Sequence, residues 1–177
     1  PAYTMTLTFE ETSRANEVKV TFKAVNVGTH YVDGLALNLP EGINYQPIQL
    51  GGVTAEEGFF QAPNMLKQRD NLLGPNQGNQ GIFDIGAGFA TGRAPSNVLF
   101  TTGDSVSFLV TSTQGPLSVA DLAETLDTPT DTWVAAASVV TAPGYCAWYT
   151  PESGTSIPEP SSALLGLLGL GALARRK

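Results

Sequence analysis

In the first nine residues Tyr3, Met5, Leu7 and Phe9 alternate with Thr4, Thr6 and Thr8. Side chains of an extended chain point to opposite faces in turn, so this run buries one face only as a β-strand with its threonines in water. The pattern returns in Val18, Val20, Phe22 and Ala24 against Lys19, Thr21 and Lys23, and in Leu35, Leu37 and Leu39 ahead of Pro40. It returns again in Phe83, Ile85, Ala87 and Phe89 against Asp84, Gly86 and Gly88, and in Val106, Phe108 and Val110 against Ser105, Ser107 and Leu109. Residues 133–140 and 145–149 supply two more strands. About seven or eight strands, separated by turns, predict a mainly β fold: an antiparallel β-sandwich of jelly-roll or Ig/cohesin-like type.

One helix is expected. Ser118 is placed to cap residues 119–125, with Asp121 and Glu124 in the first turns and Leu117 set to staple against Leu122. Residues 61–81 contain too much amide, glycine and proline to be regular, Gly74-Pro75-Asn76-Gln77-Gly78 above all, and are expected as a long exposed loop.

A chain of 177 residues with 42% hydrophobic content can bury one core and is short for two. Arg175, Arg176 and Lys177 are three of its nine basic residues, so residues 1–174 hold six basic against sixteen acidic side chains, a net charge of −10. A body of that sign repels phosphate backbones, and nucleic acid is not an expected partner. Cys146 is the single cysteine, which excludes an intramolecular disulfide and a thiolate metal cluster. The chain opens Pro1-Ala2-Tyr3 without a basic and apolar leader, so a secretory signal peptide is expected to have been removed or to lie outside these residues.

Composition changes at Pro151. Residues 151–160 contain three prolines and one large apolar side chain, Ile157, so they read as an extended linker that closes a globular domain at residues 1–150. Residues 161–174 then run without a charge into Arg175-Arg176-Lys177. As a helix this segment is apolar all round, which suits lipid or a deep core. Fourteen helical residues span about 21 Å against a hydrocarbon thickness of about 30 Å, which favours a core helix or a leader-type segment over a permanent anchor. Snorkelling basic ends and local thinning reduce the shortfall, and the trailing cations fit a cytoplasmic end. The bland alternative is a C-terminal helix packed on its own domain, its basic end complementing the helix dipole. The proline linker isolates such a helix, and its glycines weaken it as a soluble element.

Ile157-Pro158-Glu159-Pro160-Ser161, the Leu/Gly/Ala run and Arg175-Arg176 together resemble the PEP-CTERM sorting signal over about the last twenty residues. The resemblance implies export by the general secretory route in a Gram-negative bacterium and transient retention in the inner membrane with the domain periplasmic. It also implies recognition by an exosortase that cuts near Pro-Glu-Pro, and delivery to the cell surface or the exopolysaccharide matrix. Carried over by position, Pro158, Glu159 and Pro160 are the recognition motif. Ala163, Leu164, Leu165, Leu167, Leu168, Leu170 and Leu173 form the membrane anchor, and Arg175, Arg176 and Lys177 the cytoplasmic stop. More loosely, Phe83-Asp84-Ile85-Gly86, the segment from Gly103 to Phe108, and Leu117-Ser118-Val119-Ala120-Asp121 followed by Ala135-Ala136-Ala137 resemble the β-rich ectodomains that carry this tail. A eukaryotic lipid-anchor signal has the same physics, but the terminal cations and the proline motif fit it worse.

The body shows little chemistry. His30, the single histidine, lies in Gly28-Thr29-His30-Tyr31 with no nucleophile motif nearby, and no catalytic residue, cofactor or metal ligand is assigned. Cys146 sits in an apolar strand and is read as a buried, inert thiol, with lipidation or intermolecular pairing as alternatives. Glu10-Glu11 and Glu56-Glu57 are neighbours whose side chains leave a strand on opposite faces, which makes them poor acid/base pairs and ordinary surface charge. Asp84, Asp104, Asp127 and Asp131 are the candidates for a calcium site, without a loop motif to specify one. Tyr145, Trp148, Tyr149 and Trp133 are read as core, the alternative being an aromatic platform that stacks on sugars. Gly86-x-Gly88 lacks the rest of a phosphate loop. The expectation is therefore a non-catalytic structural or binding ectodomain, with an exported carbohydrate-binding module as the alternative and a surface hydrolase as the least supported.

Overall fold

The computed structural model describes residues 3–39, 47–58, 63, 65–68, 83–92, 98–123, 135–142 and 145–149. In chain order the elements are β1 (Thr4–Glu11), β2 (Glu17–Asn26), β3 (Tyr31–Leu37), β4 (Ile48–Glu57), β5 (Met65–Gln68), β6 (Ile85–Gly88), β7 (Ser105–Ser112), α1 (Val119–Ala123), β8 (Ala135–Ala142) and β9 (Tyr145–Tyr149). The alternating runs pair in the registers that keep their apolar faces together: Leu7 opposite Phe22 and Phe9 opposite Val20, then Val20 opposite Phe108 and Phe22 opposite Val106. A slip of one residue would turn each of these side chains into water, which is why the registers hold.

The strands form two antiparallel sheets, ordered β1-β2-β7-β4 and β5-β6-β3-β8-β9. The sheets meet over one core. Val18, Val20, Phe22, Val106, Phe108 and Val110 enter it from the first sheet, and Leu35, Leu37, Ile85, Ala87, Ala137 and Val139 from the second. Phe22 stacks on Phe100 with ring centroids 5.4 Å apart, and Phe100 lies 4.5 Å from Phe89. Phe100 is tied to the second sheet by a bridge to Val32, whose N–H donates to the Phe100 carbonyl at 2.8 Å.

The helix is capped as its sequence predicts. The Asp121 N–H donates to Ser118 Oγ at 3.2 Å, and Asp121 Oδ2 accepts from the Ser118 N–H at 2.7 Å, the reciprocal capping box with aspartate in place of glutamate. Glu11 on β1 adds a third bond, its Oε1 accepting from the Val119 N–H at 2.7 Å. Leu117 and Leu122 are both buried in the main core. The expected continuation of the helix to residue 125 lies outside the described residues, as do 133–134, the linker 151–160 and the C-terminal hydrophobic helix of 161–177. Among the described residues no helix is long and apolar enough to cross a membrane.

Two strands depart from expectation. β5 interrupts the loop expected over 61–81: Leu66 pairs with Ala87 and Lys67 with Gly86, and the pairing overrides a composition that argues for irregularity. β4 shows no clean alternation because it is irregular twice, between Gly51 and Thr54 and between Ala55 and Glu57. Gly52 supplies a left-handed residue, φ +58°, at the first irregularity, where an added Cβ would come within 2.6 Å of Leu109 Cδ1. Gly58, φ +81°, ends the strand so close to Asp104 that an added Cβ would overlap its carboxylate.

Phe100→Ala removes the ring that links the two sheets and is expected to destabilise the domain by about 3–5 kcal/mol, read by urea denaturation. Thr6→Ala on the exposed face of β1 is the control and should stay within about 0.5 kcal/mol of wild type.

Candidate functional site

β9 is the last of the described strands and, among the described residues, pairs with β8, Tyr149 opposite Ala137 and Ala147 opposite Val139. The other sheet lies across the core, and its edge strand β1 is preceded by Tyr3. Tyr3 keeps the inward phase of Met5, Leu7 and Phe9, and Tyr149 keeps that of Ala147, so the two rings come together at the same side of the core, T-shaped with centroids 4.8 Å apart. The Tyr3 hydroxyl is hydrogen-bonded to His30 Nδ1 at 2.8 Å, and those rings also meet edge to face at 5.6 Å. His30 is held in the β2–β3 turn, where its N–H donates to the Val27 carbonyl and Gly28 takes φ +62°. Partial burial, and then the adjacent Tyr149 phenol, push the Tyr3 pKa up, so Tyr3 is a neutral hydroxyl at physiological pH. The role of Tyr3 escapes sequence reasoning because nothing local marks a contact between the two ends of the body.

The carboxylate pairs behave in two ways. Glu10 and Glu11 diverge as the strand rule requires, Glu10 Oε2 lying 3.9 Å from Lys19 Nζ and Glu11 reaching α1. Glu56 and Glu57 contradict the expectation of opposite faces. The irregularity between Ala55 and Glu57 gives both side chains the outer face, where Glu56 accepts from Lys19 Nζ at 2.6 Å and Glu57 from Lys23 Nζ at 2.5 Å. These bonds reach from β4 to β2 across β7, and Ser107 Oγ beneath donates to Glu56 at 2.9 Å. Hydrogen bonds from Lys19 and then Ser107 hold the Glu56 carboxyl below the usual glutamate range, and the bond to Glu56 raises Lys19. Asp84 and Asp104 serve turns: Asp84 accepts from the Leu39 N–H at 2.9 Å and Asp104 from the Thr101 N–H at 2.7 Å. Asp127 and Asp131 lie outside the described residues, and among the described ones no group of three or more potential metal ligands is gathered.

Pro158, Glu159, Pro160, the leucines of the expected anchor and Arg175, Arg176 and Lys177 all lie outside the described residues. Residues 156–177 match the PEP-CTERM protein-sorting motif. The PEP-CTERM match begins seven positions beyond Tyr149 and speaks for the tail alone. No curated protein and no solved structure matches the chain.

In the body that carries the PEP-CTERM tail, Cys146 corrects the sequence reading. It is an exposed free thiol, not a buried one. Ala147 opposite the buried Val139 takes the core side of β9, which leaves Cys146, opposite Val140, on the other face of a sheet edge. The alternation in Tyr145-Cys146-Ala147-Trp148-Tyr149 carries this signal, and average thiol burial obscures it. Tyr149 packs half-buried against the core, whereas Trp133 and the side chains of Tyr145 and Trp148 lie outside the description.

Cys146 should therefore react fully with a maleimide reagent in the native protein, at a rate within a few-fold of that in urea, read by mass spectrometry; a buried thiol would react only on unfolding. Glu56→Gln should cost about 0.2–1 kcal/mol at pH 7. A depressed carboxyl stabilises above its unfolded pKa and loses that contribution as pH falls through the folded value, so the gap between variant and wild type should close in acid. Urea titrations at pH 7 and pH 3 measure it.

Proposed function

We propose that this chain is an exported bacterial surface protein, held for a time in the inner membrane by its PEP-CTERM tail and released by an exosortase. The observation that carries the reading is the match of residues 156–177 to the sorting motif, in a chain whose last described strand, β9, lies just upstream. Three segments in series divide the work. Residues 151–160 are the linker and present Pro158-Glu159-Pro160 for cleavage. The apolar run of 161–174 partitions into lipid. Arg175, Arg176 and Lys177 stop translocation, because each cation costs about 2.5–3.5 kcal/mol at the centre of a membrane on insertion scales. The run is short for a permanent span, which suits an anchor that is discarded.

The body, residues 1–150, is a non-catalytic structural or binding domain that reaches the cell surface or the extracellular polysaccharide matrix after release. Its sheet orders support a jelly-roll or cohesin-like sandwich, since the chain passes between the sheets from β2 to β3, β3 to β4, β4 to β5, β6 to β7 and β7 to β8.

Mass spectrometry of the C-terminus tests the sorting reading, with the protein expressed behind a signal peptide in hosts with and without exosortase. Loss of the tail near Pro160 only in the exosortase host is the expected result. Replacing Pro158, Glu159 and Pro160 by alanine should leave Lys177 in place in both hosts. A soluble cytosolic product with an intact tail in either host overturns the reading.

A further inference from the structure

Among the described residues the two sheets end in β1, β4, β5 and β9. β4 is a poor template for a further strand because it is irregular twice and carries Glu56 and Glu57, and β5 and β9 have only four and five residues. β1 lacks these protections. It has eight residues, pairs with β2 without a shift from Met5 to Glu11, and contains no proline, lysine or arginine to disfavour pairing on its open side.

Burial along β1 is also unfinished. Met5, Leu7 and Phe9 belong to the core face yet stay partly buried, whereas on the neighbouring strand Val18, Val20 and Ala24 are 0% exposed and Phe22 2%. On the outer face Thr4, Thr6 and Glu10 are exposed. The cover that β2 receives from a strand on each side is missing on the far side of β1.

The sequence of β1 is complementary to itself. In an antiparallel pair with a two-fold axis through Leu7, Leu7 meets Leu7, Met5 meets Phe9, Thr6 meets Thr8 and Thr4 meets Glu10. Apolar side chains then face apolar ones on the core side, and hydroxyls face a hydroxyl or a carboxylate on the outer side. The two Glu10 carboxylates stand six positions apart, about 20 Å along the strands, so two acidic bodies meet without opposed charge. An axis at Phe9 sets Leu7 against Glu11 and loses this match.

We propose that β1 is the docking edge for a second copy of this chain, joining two four-stranded sheets into one continuous sheet with Leu7 on the two-fold axis. The dimer does not depend on the sorting reading.

Two measurements on the full chain in excess detergent test it. The tail is the same in every variant, so association through its apolar run does not follow the substitutions. In sedimentation velocity, wild type should dimerise as its concentration rises. Thr6→Lys combined with Thr8→Lys sets lysine opposite lysine twice and should weaken the dimer on the order of 10-fold. Thr6→Glu combined with Thr8→Glu should do the same through opposed carboxylates. Mixing the two variants makes opposite-charge pairs, and a heterodimer at least as tight as the wild-type dimer is expected; mixing would not rescue a misfolded variant. The second measurement reads the register. In a Cys146→Ala background, oxidation should link Thr6→Cys in one preparation to Thr8→Cys in another and neither to itself, because only directly opposed positions lie within disulfide reach. A wild type that stays monomeric up to its solubility limit, or a dimer indifferent to both charge variants, overturns the docking edge. Self-linking of either cysteine variant overturns the axis at Leu7 and the complementarity argued from it.

Discussion

The structure depends on the packing of two apolar sheet faces on one another, concentrated where Phe22, Phe89 and Phe100 meet. Neither sheet is stable alone, since each exposes a row of large apolar side chains until the other covers it. Phe100 is the joint. Its backbone belongs to the second sheet through Val32, while its ring stacks on Phe22 of the first. The turn that follows is fixed by Asp104, which accepts from both the N–H and the hydroxyl of Thr101 and so sets the chain on course for β7. β7 then takes a central place in the first sheet, between β2 and β4.

The ion pairs that join the strands of the first sheet lie on its outer face. Lys19, Lys23, Glu56 and Glu57 lie on the outer side of the first sheet, and their bonds arch over β7, whose Ser105 and Ser107 are buried beneath them although they point away from the core. Small hydroxyls suit this position because long side chains there would lift the ion pairs away. Each pair is half in water and contributes little alone. Together they hold the edge strand β4, which has few buried side chains of its own. The irregularity that brings Glu56 and Glu57 to one face also twists that edge, which discourages another chain from pairing with it.

These features explain which parts were legible in advance. β1, β2 and β7 are legible strand by strand because Met5 to Glu11 of β1 pairs without a shift against β2, and β2 without a shift against β7, so period-two alternation is undisturbed there. β4 is not, because its irregularities at Gly52 and Glu56 shift the phase and Gly51-Gly52 resembles a turn. β5 is short, and its strand character lies in its partner β6. Cys146 is exposed because the alternation around it, not the average burial of thiols, sets which face it takes. The sorting motif is legible because Pro158-Glu159-Pro160, the apolar run and the terminal cations make a pattern in local composition, which residues 156–177 match. The neighbourhood of His30 was opaque for the opposite reason: its meaning comes from Tyr3 and Tyr149, far away along the chain.

That distance bears on when the fold closes. Tyr3 and Tyr149 stand at opposite ends of the described residues, and bringing them together requires the two sheets between them to have formed, because a loop of that length closes only at an entropic cost that other contacts must offset. The pairing of Tyr149 with Tyr3 therefore reports a completed body.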